Sequence, residues 1–147
     1  MIQKYKVAAY ITQADWLLVF SEPEYPAAGT QIPGGTIQPG EDPDSAVLRE
    51  AEEESGLTGL RIRRYLGTRV YHLPLASGDS VTIHRRFYQL TYDGPIDANG
   101  WRHWEADPSD GSPEPIEFSL RWVKFPHEVP ELSVGFGDML PFIEMDG

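Results

Sequence analysis

Four of the five residues from Glu50 to Glu54 are glutamates, and Arg49 stands directly before them. On an exposed helix, like charges one turn apart repel by about a few tenths of a kcal/mol per pair. Such a concentration is either a solvated acidic face or a seat for something positive. At about 100° per residue, Glu50, Glu53 and Glu54 share roughly a third of a helix circumference, and Glu52 points elsewhere. Val47, Leu48 and Ala51 fill the adjoining arc and are expected to face a core. Three carboxylates on one stripe suit a hard divalent cation such as Mg²⁺ or Mn²⁺. Arg49 lies beside them and can hold one carboxylate in a bidentate pair. The loop just upstream, IPGGTIQPGE (Ile32–Glu41), favours the cation reading. Its glycines allow the backbone to come close to a ligand.

The surrounding pattern predicts the elements that must hold this stripe. Asp42 is a natural N-cap with Pro43 at the first helical position, and Gly56 is a natural C-terminal cap. Lys6–Thr12 and Trp16–Phe20 read as strands joined by a polar turn, followed by a loop over Ser21–Gly35. Leu60–Leu73 and Ser80–Tyr92 read as longer strands around a turn at Ala76–Asp79. Asp93–Pro115 is rich in Gly, Pro and Asp, lacks periodicity, and is expected to be a long loop. Ile116–Phe125 returns to strand, and the GDMLPFIEM stretch suggests a short closing helix interrupted by Pro141. The order places the chain in the α+β class.

A length of 147 residues suits a single domain over 1–147, too short to divide in two. The formal net charge of −11 speaks against a general binder of nucleic-acid duplexes, which needs a basic footprint. It leaves room for phosphorylated small molecules, because a bound cation reverses the sign of a site. There are no cysteines, so disulfides, thiolate metal sites and cysteine nucleophiles are excluded. No apolar run is long enough to span a bilayer. The first residues show neither a secretory nor a transit pattern, so a cytoplasmic protein without membrane contact is expected.

Gly35, Glu41 and Arg49–Leu57, with five and seven residues between them, resemble the Nudix box. That signature is a glycine, a glutamate and an Arg-Glu-apolar-any-Glu-Glu-any-Gly-apolar run, and every specified position is met across 35–57. The resemblance implies a Nudix α/β/α sandwich with a mixed central β-sheet. It implies hydrolysis of a nucleoside diphosphate linked to another group, by water attack at phosphorus, with Mg²⁺ or Mn²⁺ as cofactor. By the same resemblance Glu50, Glu53 and Glu54 would be metal ligands, and Arg49 would orient a carboxylate. Gly34 and Gly35 would shape the loop at the substrate, and Glu41 would support it. Glu50 is the first choice for general base. Glu117, with Glu114 behind it, is a candidate for a distal carboxylate.

Arg85 and Arg86 are adjacent on a strand and so point to opposite faces. At most one of them is expected to face the acidic helix and contact phosphate. Arg61, Arg63 and Arg64 read as a surface cluster balancing part of the acidic total. Trp101 and Trp104 sit in the long loop, as anchors, as a surface for a second subunit of a homodimer, or as a platform for a base. The four histidines show no metal-ligand spacing. The marks of particular Nudix subfamilies are missing or displaced, so the substrate stays open. Nudix-fold isomerases use an active-site cysteine, which this chain lacks. A catalytically silent domain that senses nucleotides or binds a partner is the alternative reading, set against a complete set of box glutamates.

Overall fold

The computed structural model describes residues 1–105 and 115–145. Its seven strands form one mixed sheet: β1 (Ile2–Gln13), β2 (Trp16–Ser21), β3 (Gly34–Thr36), β4 (Arg61–Pro74), β5 (Ser80–Thr91), β6 (Trp101–Glu105) and β7 (Ile116–Lys124). The path across the sheet is β4-β5-β1-β2-β7-β6. β1 lies parallel to β5 over Ile2–Thr12, while its other edge is divided. β2 pairs with β1 only at Thr12 and Gln13 beside their connecting turn, and β3 takes the same edge at Lys6–Ala8. The strands therefore part where β3 enters, and this divergence makes the site.

One α-helix, α1 (Pro43–Ser55), lies on the sheet. Asp42 accepts a hydrogen bond from Ser45 N (3.1 Å), Pro43 opens the helix, and Gly56 closes it at φ 77° with its N–H on the Glu52 carbonyl. In that left-handed region a side chain would be strained. Val47 and Ala51 of the predicted apolar arc are fully buried, as is Ala46, against Val7, Ala9 and Ile11, and Leu48 packs half-buried on the same cluster, so the arc faces the sheet.

The opposite face is covered by the C-terminal segment, whose Phe136, Met139 and Ile143 pack on Tyr10, Leu17 and Phe87. Buried Gln89 ties it down: its Nε2 donates to the Glu144 carbonyl (2.6 Å) and its Oε1 accepts from Glu144 N (2.9 Å). The closing helix shrinks to one 3₁₀ turn over Leu140–Phe142, because Pro141 has no N–H to continue a helix. The third layer of the expected sandwich is therefore irregular. Arg61 pairs with Asp93, and Arg63 and Arg64 with Glu144, which gives the basic cluster its local counter-charges.

One expected loop contains a strand. Trp101–Glu105 forms β6, paired among the described residues with β7 alone. Trp101, His103 and Glu105 form its alternate row. Trp101 Nε1 donates to the Ser55 carbonyl (2.8 Å), and His103 Nε2 lies 2.7 Å from the Glu53 carbonyl. This row meets the end of α1 through polar atoms, so it lacks the apolar alternation that would mark a strand. Within the predicted loop, Glu114 and the rest of 106–114 lie outside the described residues.

Candidate active site

Arg49 organises the acidic helix. Its Nε and Nη2 grip Glu41 at 2.7 and 2.8 Å, and Nη2 reaches the Thr36 carbonyl of β3 at 3.3 Å. Nη1 donates to Glu50 (2.9 Å) and Glu53 (3.3 Å). One guanidinium thereby fixes the helix to the loop ahead of it and orients two box glutamates. The two bonds from Arg49, helped by Gln38 N–H, hold the Glu41 carboxyl down to about 2.

The acidic stripe is not uniformly wet. Glu53 is exposed, but Glu50 and Glu54 are 2% and 7% exposed. They form the inner edge of the stripe, pressed on Gly34 and Gly35. Gly34 N–H donates to Glu54 Oε1 at 2.5 Å, and a β-carbon on Gly35 would overlap the Glu50 carboxylate. Glycine is required at 35 because a side chain would occupy the space of the carboxylate. Burial raises the Glu50 pKa above the usual carboxylate range, against the pull of Arg49. Burial, then repulsion from Glu105, raises Glu54 well above it.

Glu105, the last residue of β6, completes the arrangement. It is buried, and carboxylate oxygens from Glu50, Glu53 and Glu105 lie within 4.8 Å of one another. Glu50 Oε2 is buried with no hydrogen-bond partner among the described residues. A buried anionic oxygen left in that state is costly. A divalent cation would resolve both the orphan atom and the mutual repulsion, and an all-oxygen donor set fits Mg²⁺ or Mn²⁺.

Beside the acidic group a cleft of about 150 Å³ opens where β1 and β2 diverge. Gly34, Gly35, Glu54 and Glu105 line its acidic side, while Lys6, Arg85 and Phe136 contribute from the far face of the sheet. Arg86 does face the helix side, where its Nε donates to the Tyr88 hydroxyl (3.0 Å) and that hydroxyl donates to Asp44 (2.9 Å). The arginine in the cleft is the other one, Arg85. Glu117 does not join the acidic group; it pairs with Arg102 at 2.5 Å on the outer strands. Sequence reasoning missed Glu105, hidden in the presumed loop, and Lys6, which carries no local signal. Alternation through Trp101, His103 and Glu105 was the clue to the first.

The profile of the NUDIX domain matches residues 3–132. The chain belongs to the Nudix family. This Nudix chain is 32% identical to an RNA pyrophosphohydrolase of Erythrobacter litoralis (strain HTCC2594), over 72% of its own length and 65% of that protein's. It thus spans just under two thirds of that relative. Among solved structures it is similar to a MutT NUDIX hydrolase from Burkholderia pseudomallei, at TM-score 0.61 and 19% identity, covering 98% of this chain and all of the other. It is also similar to a UDP-X diphosphatase, at TM-score 0.57 and 19% identity, covering 96% of this chain and 61% of the other. At these identities the structural likeness is one of fold.

Proposed function

We propose that this Nudix protein is a Mg²⁺-dependent pyrophosphohydrolase that cleaves a nucleoside diphosphate linked to another group. The observation that carries the reading is the buried acidic group around Glu50 Oε2, a carboxylate oxygen with no hydrogen-bond partner among the described residues. The family, and a relative that is an RNA pyrophosphohydrolase, support the same chemistry.

Glu50, Glu53 and Glu105 would hold the ion, with Glu105 in the place expected of Glu54, whose Oε1 accepts from Gly34 N–H. When bound, it supplies neutralisation of charge on phosphoryl oxygens and a more acidic water. The chain's own residues do the rest. Arg49 keeps Glu50 Oε1 engaged, which leaves Oε2 facing one further partner, the ion or a proton of the attacking water. Glu54 latches Gly34 and thereby sets the wall of the cleft beside the acidic group. In the reaction a new bond forms between the water oxygen and one phosphorus, and the bridging P–O bond breaks. The bridging oxygen leaves with the second phosphoryl group, and the water proton passes to a glutamate and then to solvent.

The test is release of phosphate-containing products with Mg²⁺ or Mn²⁺ across nucleoside triphosphates, ADP-ribose, nucleotide sugars, dinucleoside polyphosphates and 5′-triphosphorylated RNA. Glu53→Gln removes one ligand charge from an exposed side chain, so turnover is expected to fall on the order of 100-fold or more with the circular dichroism spectrum unchanged. EDTA should abolish it. Nucleotide binding without turnover on any member of the panel would replace this reading with that of a nucleotide sensor.

A further inference from the structure

The acidic group accounts for one side of the cleft only. On β1, Val7, Ala9 and Ile11 face α1 while Ala8 and Tyr10 face the other layer, so alternation puts Lys6 on the far side. Arg85 is the register partner of Lys6 on β5 and lies on that same side, next to Phe136. Two cations thus stand next to each other, across the sheet from Glu54 and Glu105, and line the same cleft.

Arg85 is 8% exposed. Its Nη1 donates to the Val134 carbonyl at 2.7 Å, and the guanidinium lies over the rings of Phe136 (4.3 Å) and Tyr71 (5.3 Å). Among the described residues no carboxylate forms an ion pair with it. The nearby Asp138 accepts instead from the Tyr71 hydroxyl, at 2.7 Å. Glu22, which lines the cleft as Glu54 and Glu105 do, accepts from Gln31 Nε2 at 2.6 Å. A guanidinium has five N–H donors in a planar fork, shaped for carboxylate or phosphate oxygens. Among the described residues its contacts are one carbonyl and two ring faces, none of which carries a formal negative charge, and a phosphoryl oxygen would supply one.

Size narrows the anion. At about 150 Å³ the cleft is well below the roughly 300–1,000 Å³ of pockets that engulf a drug-sized ligand. It has room for phosphoryl groups, with base and sugar left at the mouth. We propose that Lys6 and Arg85 form a phosphoryl seat, and that the substrate carries an anionic group beyond the diphosphate on the acidic side. A 5′-triphosphate has such a group, on a mononucleotide or on an RNA end; a diphosphate joined to a neutral sugar does not. The inference rests on the hydrolase reading of this cleft.

A structural duty competes with it. Arg85 also pins Val134, a β-branched residue at φ 45°. Lys6 has no part in that contact, so Lys6→Gln is the primary variant and Arg85→Lys, which keeps the charge, is the second. Two readouts are needed. One is calorimetric binding of inorganic tripolyphosphate in EDTA; the other is kcat and KM for GTP, a 5′-triphosphorylated oligoribonucleotide and UDP-glucose. The expected result is salt-sensitive tripolyphosphate binding that weakens about tenfold in Lys6→Gln and less in Arg85→Lys. KM for the triphosphates should rise about tenfold more than KM for UDP-glucose. Preference for the oligonucleotide over GTP would name the RNA end as source, and the reverse the mononucleotide. Tripolyphosphate binding unchanged in Lys6→Gln, or UDP-glucose as the best substrate, overturns the seat. If nothing is hydrolysed but Lys6→Gln still loses tripolyphosphate, the seat stands and the hydrolase reading falls. Turnover that needs Glu53 and Mg²⁺ yet ignores Lys6 gives the opposite outcome.

Discussion

Glu105 and Glu117 sit in the same part of the chain, and the fold separates them. Glu105 is buried and its carboxylate lies beside those of Glu50 and Glu53 on α1, whereas Glu117 is held by Arg102, itself 60% exposed. Their substitutions should differ accordingly. Glu105→Gln removes a charge from the proposed ion seat and is expected to cut turnover on the order of 100-fold. Glu117→Gln loses a pair worth about 1 kcal/mol at most and should change kcat less than about threefold. Parallel kinetics on the two purified variants check this; equal losses would place both carboxylates in the reaction. Glu117, the second residue of the last strand, was singled out through the family resemblance. Glu105 had no signal beyond its alternation with Trp101 and His103.

At the scale of elements, the Glu41–Arg49 pair is the strut between the glycine loop and α1. Glu41 is held down to about 2, mainly by Arg49, while an unfolded glutamate titrates near about 4.3. A depressed acid contributes stability that is fully present above its unfolded value and is lost as pH falls through its folded value. The strut should therefore weaken between about pH 4.3 and 2. Solvent screening discounts the effect to the order of 1 kcal/mol. Urea unfolding at pH 5.5 and pH 2.5 should show Glu41→Gln less stable than the parent at the higher pH and nearly equal at the lower. A gap that stays constant with pH would mean the pair contributes nothing through ionisation. The helix itself was legible, because Asp42, Pro43 and Gly56 act within a turn of their own positions. β6 was not, because its inward row contacts α1 through polar atoms.

For the whole molecule, buried carboxylates in a chain of net charge −11 mean that the metal-free fold carries unrelieved repulsion. A ligand that binds only the folded state adds about 2.7 kcal/mol when present at 100 times its dissociation constant. For a chain of this size that corresponds to roughly 5–10 °C in melting midpoint. Saturating Mg²⁺ or Mn²⁺ should therefore raise the midpoint by about that much, EDTA should reverse it, and Glu53→Gln should blunt it. A midpoint indifferent to either ion would remove the ion from the acidic group. Among the described residues no helix is long and apolar enough to cross a membrane.

The sequence by itself determined the family, the α+β class and the capped acidic helix. It did so because a helix repeats every 3.6 residues, so Arg49, Glu50, Glu53 and Glu54 meet through local spacing alone. It also placed Arg85 and Arg86 on opposite faces, but not which face mattered. Only the tertiary structure decided that, since the cleft runs through the sheet where β1 leaves β2, and Arg85 lines it from the far side with Lys6. Strand pairing joins residues that are distant in the chain, and register selects the face each one takes. Lys6, Arg85 and Glu105 meet one cleft for that reason, from three strands whose spacing in the sequence carries no trace of it.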